Sequence, residues 1–120
     1  MLSDSELSPL VEAIHERHGT AVKALDMSSF PLLVDAFVIA SSDNRIQSRA
    51  IADRVIDRAE QAGMRLDHRE GYEEGSWILL DFSGVVVHIF LSDRREYYNL
   101  EMLWNDAPGR EYPDAGSAGE

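Results

Sequence analysis

Two apolar runs, Trp77 to Phe82 and Val85 to Leu91, are separated by only Ser83 and Gly84, and this spacing restricts the fold more than any other feature of the chain. Two residues including a glycine have the length and chemistry of a tight β-hairpin connection. With that loop, the register follows by counting outward: Phe82 faces Val85, Asp81 faces Val86, Leu79 faces His88 and Trp77 faces Phe90. Opposed residues share a sheet face. One face therefore carries Trp77, Leu79, Asp81, Val86, His88 and Phe90. The other carries Ile78, Leu80, Phe82, Val85, Val87, Ile89 and Leu91. The second face has no polar residue and is expected to pack on helices, which leaves the mixed face as the candidate working surface.

Helical spacing supplies the covering elements. Leu7, Leu10, Val11 and Ile14 repeat on one side of an N-terminal helix. Its start is either a capping box of Ser3 and Glu6 or an N-cap at Ser8 followed by Pro9, and Gly19 is its natural stop. Extended segments are expected over Ala21 to Asp26 and Asp35 to Ala40, with a turn through Ser28, Ser29 and Pro31. The run Phe37-Val38-Ile39 is that of a strand covered on both sides. Ser41-Ser42-Asp43-Asn44 offers N-cap residues, and Ile51, Ala52, Val55, Ile56 and Ala59 then form a helical stripe ending at Gly63. A short strand is expected over Leu66 to Tyr72, and a helical turn or two over Arg94 to Trp104. These elements make one α/β domain over residues 1–104, with a mixed sheet flanked by helices. From Asn105 onward the chain holds Pro108, Gly109, Pro113, Gly116 and Gly119 with little apolar content, so residues 105–120 are expected to form a mobile acidic tail.

Composition narrows the partners. The 22 acidic residues against 11 basic ones give a formal charge of -11, and Lys23 is the sole lysine. Such a surface repels phosphate backbones, disfavouring direct nucleic-acid contact and suiting a basic protein; solubility alone is the plainer account of the charge. Without cysteine there is no disulfide, thiolate metal site or cysteine nucleophile. No basic leader or long apolar run is present, so a cytoplasmic protein without a membrane span is expected.

A catalytic constellation does not emerge. Glu12 and His15 have metal-ligand spacing on a helix, and His18 lies nearby, but no second such motif exists and a solvated polar face accounts for all three. His88 and Asp81 share a sheet face, a conceivable acid/base pair lacking any activated nucleophile. There is no Walker motif, Gly-x-Gly-x-x-Gly or Asp-x-Asp for phosphoryl chemistry, and no cofactor is implied. What stands out is aromatic bulk: Trp77, Phe90, Tyr97, Tyr98 and Trp104.

The order Glu70-Gly71-Tyr72, Gly75-Ser76-Trp77-Ile78-Leu79-Leu80-Asp81, Val85-Val86-Val87-His88-Ile89-Phe90, Arg95, Tyr98, Leu100-Glu101 and Leu103-Trp104 resembles the ribosomal silencing factor (Iojap-like) family. Leu25-Asp26, Asp35 to Ala40 and Ala50-Ile51-Ala52 extend the resemblance to about Leu7 through Trp104. The segment Ser41 to Gln47 departs from it, lacking the glycine usual soon after the second strand. The resemblance implies a nucleotidyltransferase-like fold without the catalytic carboxylates. It also implies binding to large-subunit ribosomal protein L-fourteen, exclusion of the small subunit, and lowered translation when nutrients are scarce. The site residues expected on that basis are Trp77, Leu79 and Phe90 as an apolar anchor beside Tyr98 and Leu100, with Glu70, Asp81 and His88 as polar complements. Two further expectations accompany it: the free protein forms a homodimer through the same apolar face, and, as an alternative function, a degenerate nucleotidyltransferase binds a nucleotide near Ser42-Asp43.

Overall fold

The computed structural model describes residues 4–114; Ser3 of the expected capping box and the end of the tail lie outside the described residues. Helix α1 (Asp4–Glu16) begins ahead of Ser8, so Pro9 sits inside it rather than at its first turn. Strands β1 (Thr20–Asp26) and β2 (Ala36–Ser42) form an antiparallel pair, interrupted by a bulge between Thr20 and Lys23 where Ala21 has φ 50°. Helix α2 (Arg45–Gln61) is capped by Asn44, whose side chain accepts from Gln47 N at 2.8 Å; the Gln47 side chain accepts in turn from Asp43 N at 2.7 Å. Asn44 is extended, with φ -156°, so this turn needs no glycine.

Strands β3 (His68–Glu70), β4 (Trp77–Asp81) and β5 (Val85–Leu91) follow. Then come α3 (Ser92–Tyr98), α4 (Leu100–Leu103) and β6 (Gly109–Tyr112). The strand order is β3-β4-β5-β2-β1-β6, and β2 runs parallel to β5 within an otherwise antiparallel sheet. The hairpin register is the one obtained by counting, from Trp77 opposite Phe90 to Asp81 opposite Val86. In the connection, the positive φ of 75° belongs to Ser83 rather than Gly84. Asp81 stabilises this turn by accepting from Ser83 N at 2.9 Å.

Ile78, Leu80, Phe82, Val85, Val87 and Ile89 pack against α1 and α2, as their uniformly apolar pattern requires. The mixed face is not left open. A second core joins Leu25, Met27, Phe37, Ile39, Val86, Phe90 and Ala107, covered by Phe30, Val34, Leu100 and Trp104. Phe30 and Phe37 meet Trp104 edge-on at ring centroids of 5.1 and 6.2 Å.

Two expected elements are corrected. The helix over Arg94 to Trp104 breaks at Asn99, which adopts a left-handed conformation (φ 48°, ψ 53°). The tail expected to be mobile from Asn105 is ordered at least to Asp114. Its strand β6 pairs Val22 with Tyr112 and Leu25 with Gly109 along the edge of β1, while Ala107 is buried in the second core. Backbone pairing to a distant strand needs no apolar side-chain pattern, so composition could not reveal it.

Candidate partner-binding site

The loop between β3 and β4 leads directly into Trp77, the first residue of β4. Gly71 has φ 77°, and a Cβ there would lie 2.0 Å from the Trp77 carbonyl oxygen. Neither the dihedral nor the space admits another residue without a shift. Helix α2 holds the rest of the loop: Arg49 donates to the Glu73 carbonyl at 3.1 Å and Arg45 to that of Glu74 at 2.9 Å. Tyr72 donates to Asp53 at 3.0 Å beneath the Arg69 guanidinium, which lies 4.1 Å from its ring centroid.

Trp77 emerges from this loop half-buried, stacked on Phe90 at 4.8 Å and tilted against Tyr98 at 5.0 Å. Its indole nitrogen donates to His88 Nδ1 at 3.1 Å. Tyr98 is half-exposed, and Tyr97, 77% exposed, meets it edge-on at 5.2 Å. On α4, Met102 and Leu103 are also exposed, Leu103 at 71%. Arg95 fastens this segment to the sheet, donating to the Ala21 carbonyl at 2.6 Å, Ser41 Oγ at 2.9 Å and Glu101 at 2.8 Å. That guanidinium holds the Glu101 carboxyl below its usual pKa.

The expected site residues therefore divide. Trp77, Leu79 and Leu100 pack at the edge of the second core and Tyr98 against the rings of Trp77 and Phe90, each with at least part of its surface open. Phe90 is 0% exposed and His88 4%, so neither reaches a partner directly; the cover supplied by α3, α4 and residues 27–34 buries them. Burial also pushes the His88 pKa down to about 4. Its ring bonds Trp77 rather than Asp81, so the conceivable His-carboxylate pair does not form. Asp81 serves the hairpin turn and stands four residues from Trp77, about 13 Å along the strand. Glu70 is exposed and bonded to His68. Tyr97 stands among the aromatic residues prominent in the sequence but outside the expected site, and Met102 and Leu103 are exposed beyond it; two adjacent apolar pairs on a short helical stretch mark a surface that cannot all turn inward.

Glu12 and Glu16 bind Arg58 and Arg54, and no group of three His, Cys, Asp or Glu side chains that could hold a metal ion occurs among the described residues. Near Asp43, Ser42 and Ser48 are buried and bonded to each other, while Asn44 and Gln47 occupy the amino end of α2. Among the described residues no helix is long and apolar enough to cross a membrane.

A family described as "Ribosomal silencing factor during starvation" matches residues 2–119. The chain belongs to the ribosomal silencing factor family. A protein of Halalkalibacterium halodurans named ribosomal silencing factor RsfS is 41% identical over 108 residues, covering 89% of this chain and 92% of its own. Its Bacillus subtilis namesake is 39% identical, covering 90% and 92%. A crystal structure from Chromobacterium violaceum superposes with a TM-score of 0.82 at 31% identity, covering all of this chain and 98% of the other. These likenesses place the protein among regulatory ribosome-related factors, and its six-stranded mixed α/β sheet among structures of the family.

Proposed function

We propose that the protein binds the large ribosomal subunit in the cytoplasm through ribosomal protein L-fourteen. In doing so it sterically excludes the small subunit and represses translation when nutrients are scarce. The observation that carries this reading is the aromatic cluster of Trp77, Tyr98 and Tyr97, open to solvent at the tyrosines, with Met102 and Leu103 also exposed on the following helix α4, in a chain of the silencing-factor family. Aromatic residues of this kind are enriched at the centres of protein interfaces. The net charge of -11 suits a basic ribosomal protein and opposes direct contact with ribosomal RNA. The role is steric, so no catalytic step is assigned to any residue.

Co-sedimentation with isolated large subunits, followed by reassociation with small subunits on a density gradient, tests the reading. Binding with loss of the joined particle is expected, and failure to bind large subunits refutes it. The same exposed surface favours a homodimer of the free protein, since wet apolar area is costly. Concentration-independent monomer mass in light scattering would reject that dimer.

A further inference from the structure

The contact between Trp77 and His88 is a diagonal one across the hairpin, because Trp77 lies opposite Phe90 and His88 opposite Leu79. For Nδ1 to accept the indole proton, a neutral imidazole carries its own proton on Nε2. Nε2 is buried and has no hydrogen-bond partner among the described residues. The ring packs edge-on against Phe37 at 4.8 Å and lies 6.2 Å from Phe90. Burying an unmatched donor costs about 1–3 kcal/mol, and a phenyl ring would fill a similar space without that penalty. What a phenyl ring lacks is an acceptor for Trp77. Desolvation keeps the imidazole neutral at physiological pH, so that acceptor is available.

Trp77 also packs against the rings of Phe90 and Tyr98, and aromatic packing is less directional than a hydrogen bond. A hydrogen bond is directional and selects one setting of the indole. We propose that His88 is a positioning residue for partner binding, holding the half-buried Trp77 indole in its docking orientation while touching no partner itself. This deepens the docking reading and rests on it. An anchor already fixed in its bound setting loses less freedom on association, which favours affinity.

The test compares the full-length parent with His88→Phe, His88→Asn, Trp77→Phe and the double variant Trp77→Phe/His88→Phe. Two readouts are needed: solvent exchange of the Trp77 indole proton by NMR on the free protein, and affinity for isolated large subunits. His88→Phe should remain folded, with indole exchange about tenfold faster through loss of a protecting bond. Its affinity should fall about fivefold, the scale of one neutral hydrogen bond. His88→Asn, which offers an acceptor oxygen, should recover most of both. In the Trp77→Phe background, which has no indole proton, adding His88→Phe should change affinity by less than about twofold, because the coupling is gone. If His88→Phe does not fold, His88→Leu against His88→Asn makes the same comparison. Unchanged indole exchange in the acceptor-free variant overturns the positioning role, whatever the affinity. An undiminished loss in the double variant overturns it as well. Failure of the parent to bind large subunits instead overturns the docking reading on which the role depends.

Discussion

Ending the chain after Asn105 should destabilise the domain substantially, although the residues removed are mostly polar, glycine or proline. The truncation deletes Ala107, 8% exposed in the second core, and Tyr112, which packs partly against the first. It also removes the β6 ladder to β1 and the bonds from Asp26 N to the Pro108 carbonyl at 2.8 Å and from Ala21 N to Asp114 at 2.9 Å. Contacts of Arg110 and Tyr112 with Asp4 go as well. Apolar burial of Ala107 and Tyr112 contributes about 2–3 kcal/mol. The exposed ion pair adds under about 1 kcal/mol. The edge hydrogen bonds, each about 0.5–1.5 kcal/mol, are largely offset by the entropy of ordering the segment. A net loss of about 2–4 kcal/mol is expected, lowering Tm by about 10–20 °C for a domain of this size. Thermal unfolding of that variant beside a chain ending at Asp114, which keeps every contact counted, provides the measurement. A Tm within about 2 °C of parent for the shorter chain would show that β6 adds nothing to the fold.

Ile78→Ala should cost roughly 2–5 kcal/mol of stability and leave large-subunit binding per folded molecule unchanged. Trp77→Ala should stay cooperative while weakening binding by about 2 kcal/mol or more; thermal melts and co-sedimentation of both decide, and the reverse pattern would invert the face assignment. Gly71→Ala should lose roughly 1–3 kcal/mol in urea unfolding, since φ 77° and the Trp77 carbonyl both oppose a Cβ; parent-like stability would contradict that packing. Acid should act through His88, whose pKa is about 4 when folded against 6.5 for the free side chain. The unfolded chain takes up that proton first, so stability falls as pH drops from 6.5 towards 4, by about 3 kcal/mol over the window. Carboxyls held down by partners, such as Glu16 and Glu74, lose stability further into acid in parent and variant alike. Urea unfolding at about pH 7 and pH 4.5 should therefore show a smaller drop for His88→Phe than for parent, and equal drops would refute the assignment.

The hairpin was legible because two local rules agree there. A two-residue connection sets the register, and period-two alternation then assigns every side chain to a face. Helix α2 was legible for the same kind of reason, an apolar stripe behind Asn44, although its partner Gln47 was not recognised as part of the cap. The alternation divided Trp77 from Ile78, but it could not say how deeply each face would be covered. Phe30, Leu100 and Trp104 lie in segments without a sustained period, and only their convergence over Phe37 and Phe90 buries the mixed face. That cover turned Phe90 from an expected anchor into core and closed His88 away from any partner. Strand β6 is the extreme case, because Gly109-Arg110-Glu111-Tyr112 has no apolar alternation and its order comes from pairing with a strand more than eighty residues earlier. Local patterns determine the conformation and facing of a segment. Burial and edge pairing depend on which distant segments meet, and only the tertiary structure decides that.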